Sequence, residues 1–229
     1  MLRAIIFDMD GVICDSEPLH MKAFQQVLTE EGVAITDQEY YDRYLAHDDR
    51  GSFEAALSEH GRPESDLLKM KSYLQRKARY FDALMSDGLV VYPGVEAFIK
   101  KAGVKYSLGL ASGARRLEVE YVLKKGKIRD SFAAVVSADE VKNGKPQPEA
   151  FEMALRLMNQ VRLEGTREIG PAETLVIEDS PRCIHTAKGL GMKTVGMATS
   201  YKPEDLREAD LVIDTLVGLE LETLEKLFV

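Results

Sequence analysis

Short apolar runs rich in Val, Ile and Leu recur along this chain, at Ala4–Phe7, Tyr106–Ala111, Ala133–Val136, Thr174–Ile177, Lys193–Met197 and Leu211–Ile213. Most are separated by segments with helical spacing: Val95–Ala102, Leu117–Lys124, Pro148–Met158 and Pro181–Leu190. The alternation predicts βα units around a mostly parallel sheet, because each parallel strand needs a crossover and the crossover helix covers the sheet. The first strand breaks this rhythm. It is followed not by a single crossover but by a long stretch of helical pattern, Pro18–Glu31, Gln38–Leu45, Gly51–His60 and Glu64–Leu84. Such a block predicts an inserted all-helical cap over 16–91, with 1–15 and 92–229 forming an α/β core. Pro93 and Gly94 mark the return to that core. The polar stretch Asn159–Pro171 reads as a long surface loop.

The length, 229 residues, accommodates a core of this size with one insertion. Net charge is −8, from 30 Lys and Arg against 38 Asp and Glu, and no basic run appears. The electrostatic footprint of a nucleic-acid binder is therefore absent, and a small anionic substrate would need a local positive site. Cys14 and Cys183 lie far apart without metal-ligand spacing, which reads as reduced thiols in a reducing compartment. The apolar run of "MLRAIIFD" stops at Asp8, too short for an export segment, and no stretch approaches the ~20 apolar residues of a membrane span. The expectation is a cytoplasmic protein without nucleic-acid or membrane partners. In the absence of a heptad pattern, nothing calls for more than a monomer or weak dimer.

Ligands of open α/β sheets gather beyond the carboxyl ends of the strands, so the residues at those ends matter most. The first strand ends in Asp8 and Asp10, with Gly11 freeing the backbone to turn. Two neighbouring acids at the end of a buried strand are costly unless a cation compensates them. The second strand ends in Ser112 and Gly113 before a helix start. After the third comes "KNGKPQPE", with Lys145 between Gly144 and Pro146. The fourth ends in Glu178, Asp179 and Ser180. Taken singly these are a turn, a helix cap, a solvated lysine and another cap. Taken together at one rim, the carboxylates make a hard oxygen site suited to Mg²⁺, while the hydroxyl, ammonium and helix-start N–H groups are donors for a phosphoryl group.

In order and context, "DMDGV", "LASG", "NGKPQPE" and "IEDS" resemble the four motifs of the haloacid dehalogenase superfamily, in the arrangement of its phosphatases and phosphomutases. The resemblance covers nearly the whole chain. It implies a Rossmann-like core with a helical cap, a Mg²⁺ cofactor and a small phosphorylated metabolite as substrate. By the same resemblance Asp8 is the nucleophile and Asp10 the general acid/base. Ser112 and Lys145, with Gly113 beside them, bind the transferring phosphoryl group. Mg²⁺ is held by Asp8, the backbone carbonyl of Asp10, Asp179, and Glu178 in or just outside the coordination sphere. Dehalogenases of the superfamily lack an acid at the Asp10 place, so its presence implies phosphoryl transfer.

"DSEPLH" resembles the cap-proximal segment of the branch that contains β-phosphoglucomutase and the sugar-phosphate phosphatases. There His20 either helps couple cap closure to proton placement or is a helix-start residue without chemistry. The mutase loop carries a Lys-Gly pair and then an Arg, whereas "LAHDDR" has Ala46 and His47 in place of the pair and keeps only Arg50. Arg50 and Lys77 stand where they would meet the distal part of an anionic substrate, or they are ordinary solvated helix charges. Arg115 and Arg116 follow the Ser112 motif and would steer an anion, or decorate a helix start. The leading expectation is a Mg²⁺-dependent phosphatase. A β-phosphoglucomutase-type mutase and a catalytically silent binding protein of the same fold are the alternatives.

Overall fold

The computed structural model describes residues 1–161 and 165–229. Among them the strands are β1 Ala4–Phe7, β2 Cys14–Asp15, β3 Val90–Val91, β4 Ser107–Ala111, β5 Ala134–Val136, β6 Thr174–Glu178, β7 Lys193–Met197 and β8 Leu211–Ile213. The α-helices are α1 Glu17–Glu30, α2 Asp37–Glu39, α3 Asp49–Glu59, α4 Leu67–Gly88, α5 Val95–Gly103, α6 Arg116–Lys125, α7 Glu149–Gln160, α8 Pro181–Gly189 and α9 Leu221–Glu225. The chain forms two compact units, Met1–Asp15 with Val90–Val229, and Ser16–Leu89.

The first unit is built on a parallel six-stranded sheet in the order β5-β4-β1-β6-β7-β8. β1 is central and its four residues have no exposed surface. Burying Ile5, Ile6 and Phe7 stabilises the fold by about 1.5–3 kcal/mol each. Phe7 also meets Phe98 and Phe132 edge-on, at 6.2 and 5.9 Å between ring centroids. On α7, Ala150, Phe151, Ala154, Leu155 and Met158 fall on one buried face, the stripe that helical spacing produces. Gly109 of β4 makes room for this helix, since a Cβ there would stand 3.0 Å from the Met158 sulfur.

The sheet forms as the apolar runs predict, with ends that differ by a residue or so. Two short strands, β2 and β3, were not legible. The β2–β3 ribbon is antiparallel, pairs Cys14 with Val91 and Asp15 with Val90, and is too short for any periodicity to register. The helix expected to stop at Met158 runs to Gln160, so the connection from 159 begins later than its polar composition suggests. Part of that expected loop, residues 162–164, lies outside the described residues. Asn159 exchanges two hydrogen bonds with the Ile169 backbone, of 2.8 and 3.0 Å.

The second unit is all helical. Met21, Phe24, Val27 and Leu28 of α1 share a core with Phe53, Ala56 and Leu57 of α3 and Met70 and Tyr73 of α4. Phe24 and Phe53 lie 4.7 Å apart at its centre. Helix starts are capped by side-chain oxygens that satisfy otherwise orphaned N–H groups: Asp48 accepts from Gly51 N at 2.7 Å, and Asp66 from Leu68 N at 2.8 Å. Thr36 and Glu39 form a reciprocal capping box. The helix expected over Gln38–Leu45 is an α-turn followed by a wider π-turn at Tyr40–Tyr44, closed by Leu45 N to Tyr40 O at 3.1 Å. The wider turn turns both Tyr40 and Tyr44 inward, against Phe24. No described helix is long and apolar enough to cross a membrane.

Candidate active site

Register decides which strand-end residues meet. Phe7 is paired with Leu110 on one side and with Ile177 on the other. The residues that follow, Asp8, Ala111 and Glu178, therefore emerge side by side, and Asp8 N completes the ladder to Ile177 O at 2.9 Å. Asp8, Glu178 and Asp179 are buried, and one carboxylate oxygen from each lies within 4.8 Å of the others. Lys145 reaches into this group from the loop before α7. Its ammonium pairs with Asp8, stands 2.5 Å from Glu178 Oε1, and donates to Ala111 O at 2.9 Å. The Phe151 ring, 4.9 Å away, backs it.

Three buried carboxylates face one buried ammonium, and the imbalance appears in the proton affinities of Asp8 and Asp179. Burial, with Glu178 and Asp10 nearby, pushes the Asp8 carboxyl up to about 8 against the opposing pull of Lys145. Burial and the charges of Glu178 and Asp8 hold Asp179 well above the usual carboxylate range. Burial works against the Lys145 ammonium, but Asp8 and Glu178 outweigh it and hold its proton well above the ordinary lysine value. Among the described residues Glu178 Oε1 has no partner in hydrogen-bond geometry, although the Lys145 charge is close by. A hard divalent cation fits this donor set: all-oxygen, buried, and short of positive charge.

The turn after β1 is tight. Met9 O accepts from Ile13 N at 2.8 Å and Cys14 N at 3.1 Å, and Gly11 N donates to Cys14 O at 2.9 Å. Gly11 has φ 76°, and a Cβ there would overlap the Asp179 carboxylate, so conformation and space both require glycine. Asp10 is partly exposed on this turn, and its carboxylate is not one of the three clustered acids. Ser112 is buried, and its hydroxyl accepts from Ala114 N at 3.0 Å. Gly113 is exposed, and a Cβ there would meet nothing within 4 Å.

Within the core unit, the two arginines that follow Ser112 are engaged by acids of their own. Arg116 is held by Glu120, by Glu140 and by Val135 O, the last at 2.9 Å, so it ties α6 to β5. Arg115 is clasped by Glu118, which takes its backbone N–H at 3.1 Å and its Nε at 2.6 Å. In the helical unit, Lys77 is buried rather than solvated. It lies 2.7 Å from Asp49 and 2.7 Å from His20 Nδ1, while the His20 ring stacks on Phe81 at 4.0 Å. Arg50 instead makes a half-exposed pair with Glu54 at 2.7 Å. Cys14 and Cys183 are buried thiols not joined in a disulfide, and burial raises the Cys183 thiol. Sequence reasoning missed the hydroxyls of Thr199 and Ser200, which border Gly11 and Asp179. The strand-end criterion, taken one strand further to β7, selects both.

A parallel core of Rossmann-like topology, with its carboxylates and one ammonium gathered at the carboxyl ends of adjacent central strands, defines an α/β enzyme. The haloacid dehalogenase-like hydrolase family matches residues 5–197, and the chain belongs to it. The chain is 29% identical over 194 residues to a phosphorylated carbohydrates phosphatase of Thermotoga maritima, covering 85% of this chain and 84% of the relative. It is 27% identical over 231 residues to a beta-phosphoglucomutase of Bacillus subtilis, covering 98% and 95%. Among solved structures, the beta-phosphoglucomutase of Clostridium difficile superposes with a TM-score of 0.81 at 25% identity, covering 100% of this chain and 97% of that one.

Proposed function

We propose that this chain is a Mg²⁺-dependent phosphatase of a small phosphorylated metabolite, a sugar phosphate, working through an aspartyl-phosphate on Asp8. The observation that supports it most is the buried group of Asp8, Glu178 and Asp179 with Lys145 inserted among them. Asp8, Glu178, Asp179 and the backbone carbonyl of Asp10 would hold the cation. When bound, it would neutralise the carboxylates and the phosphoryl oxygens that approach them.

In this reading the Asp8 carboxylate attacks phosphorus and the bond to the ester oxygen breaks. Asp10, protonated, gives its proton to the leaving alkoxide. Asp10, now a carboxylate, takes a proton from water as that water attacks the acyl phosphate, which returns Asp8 and releases inorganic phosphate. Lys145 and the Ser112 hydroxyl hold the phosphoryl oxygens, together with the backbone N–H of Gly113.

The names of the relatives support phosphorylated sugars as the substrate class, and they include a phosphatase and a mutase. The helical unit favours the phosphatase. Its loop lacks the mutase's Lys-Gly pair, and Lys77 and Arg50 are already matched by Asp49 and Glu54. A mutase must accommodate a bisphosphate intermediate, and cations already paired with carboxylates attract a second phosphate poorly. The deciding experiment screens phosphate release from sugar phosphates, phosphoglycolate and nucleotides with and without Mg²⁺. In parallel, phosphorus NMR follows β-glucose 1-phosphate primed with the 1,6-bisphosphate. Release from a sugar phosphate without isomerisation supports the phosphatase, isomerisation supports the mutase, and neither reaction on any substrate sinks both.

A further inference from the structure

The turn after β7 contributes two hydroxyls to the surroundings of the acidic group, and none of the four motifs includes them. Thr199 Oγ1 donates to Gly11 O at 2.5 Å. The Ser200 hydroxyl stands beside the Asp179 carboxylate, both crowding the same side of Gly11. Its oxygen would stand 2.9 Å from a Cβ at Gly11, at the very point the Asp179 carboxylate already fills. Gly11, Asp179 and Ser200 are therefore packed against one another. Tyr92 borders the arrangement, close enough to Asp15 and Asp179 for their charges to act on its hydroxyl. The turn itself is anchored, with Ala198 N donating to Ile213 O at 2.8 Å and Thr199 N to Met197 O at 2.9 Å.

We infer that Ser200 and Thr199 are positioning residues of the cation site: Ser200 orients the Asp179 carboxylate, and Thr199 fixes the peptide that follows Asp10. The inference rests on the cation reading proposed above and extends it to a fifth strand end. A carboxylate ligand with two equivalent oxygens rotates freely unless one is held, and a hydroxyl donor on one oxygen leaves the other to face the cation. Gly11 O is one peptide beyond the Asp10 carbonyl, so tying it down limits the directions the Asp10 carbonyl can take. Neither hydroxyl touches the reacting phosphoryl group in this scheme. Their loss is felt in cation affinity and not in the chemistry once the cation is saturating.

The test is calorimetric titration of the full chain with MgCl₂, using the wild type, Ser200→Ala, Ser200→Thr and Thr199→Val. Removing such an outer hydrogen bond weakens metal binding by about 10–100-fold. Ser200→Ala is expected to shift the Mg²⁺ dissociation constant upward by about tenfold and Ser200→Thr to restore it, with Thr199→Val behaving like Ser200→Ala. Urea midpoints measured in EDTA should match across the set, which separates positioning from a general loss of stability. If the wild type binds Mg²⁺ and Ser200→Ala binds it equally well, the inference is wrong while the cation site stands. A shift that appears only in step with a lowered urea midpoint in EDTA also overturns it. A wild type that binds no Mg²⁺ removes the cation site and the inference with it.

Discussion

The ammonium of Lys145 is paired with the Asp8 carboxylate in the interior of the core unit, with side chains only 8% and 10% exposed. The same ammonium faces Glu178, so one cation serves two buried acids.

Removing it leaves both acids uncompensated. Breaking a buried pair from one side costs about 3–5 kcal/mol. Lys145→Ala should lose stability of that order, and phosphate release should fall at least about a hundredfold. The loss should also depend on pH. The Asp8 carboxyl is already raised to about 8 with Lys145 present, and without it the value climbs further. A raised folded-state pKa means the folded protein binds the extra proton, so the stability contributed is present at low pH and fades as pH rises through the folded value. Urea midpoints of Lys145→Ala should therefore fall further below wild type at pH 9 than at pH 6; equal deficits would contradict the pairing.

Asp8→Asn should abolish turnover, because an amide cannot form the acyl phosphate. Asp10→Asn should lower turnover by about 10²–10⁴, the usual contribution of a general acid. It should leave Mg²⁺ titration nearly unchanged, since the expected contact from Asp10 is its backbone carbonyl. Turnover by Asp8→Asn at the wild-type rate would eliminate the mechanism.

Cation binding should displace protons. With Asp8 raised to about 8 and Asp179 held well above the usual carboxylate range by burial and its acidic neighbours, a cation at neutral pH competes with protons on these carboxylates. The apparent Mg²⁺ affinity should rise as pH increases from 6.5 to 8.5, and heats measured in buffers of different ionisation enthalpy should report proton release. At a concentration one hundred times the dissociation constant, Mg²⁺ should stabilise the fold by about 2.7 kcal/mol. Activity that survives chelation would remove the metal from the scheme.

Glu173 offers a test far from the catalytic group. Its carboxylate is held down to about 2 by hydrogen bonds from Arg167 and from the Gly170 N–H, with Arg3 adding charge. A depressed folded-state value contributes stability above the unfolded carboxylate pKa and loses it as pH falls from about 4.5 towards 2. Glu173→Gln should be less stable than wild type at pH 6, and the two should converge in thermal melts near pH 2.

Several residues show how far sequence reasoning reaches. Asp8, Ser112, Lys145 and Asp179 announced themselves because each stands just past an apolar run or in a Gly/Pro loop, where side chains leave the sheet. Lys77 was open in the sequence between a substrate contact and a solvated helix charge, and its burial between Asp49 and His20 depends on how α3 packs beside α1 and α4. Arg116 is the opposite case. Its position after the Ser112 motif suggested an anion partner, yet Glu120 and Glu140 take its guanidinium within the core unit.

The sequence by itself determined the kind of core, the helical insertion and the residue types at the strand ends, because apolar periodicity and strand-terminal polarity are local properties of the chain. Only the tertiary structure decided which of those ends meet. The pairing of Phe7 with Ile177 and Leu110 puts Asp8 beside Glu178 and Ala111, and the strand order brings Lys145 into the same group. Likewise, the fold alone sets Thr199 and Ser200 against Gly11 and Asp179. Register and strand order arise from packing among segments distant in sequence, and no local pattern encodes them.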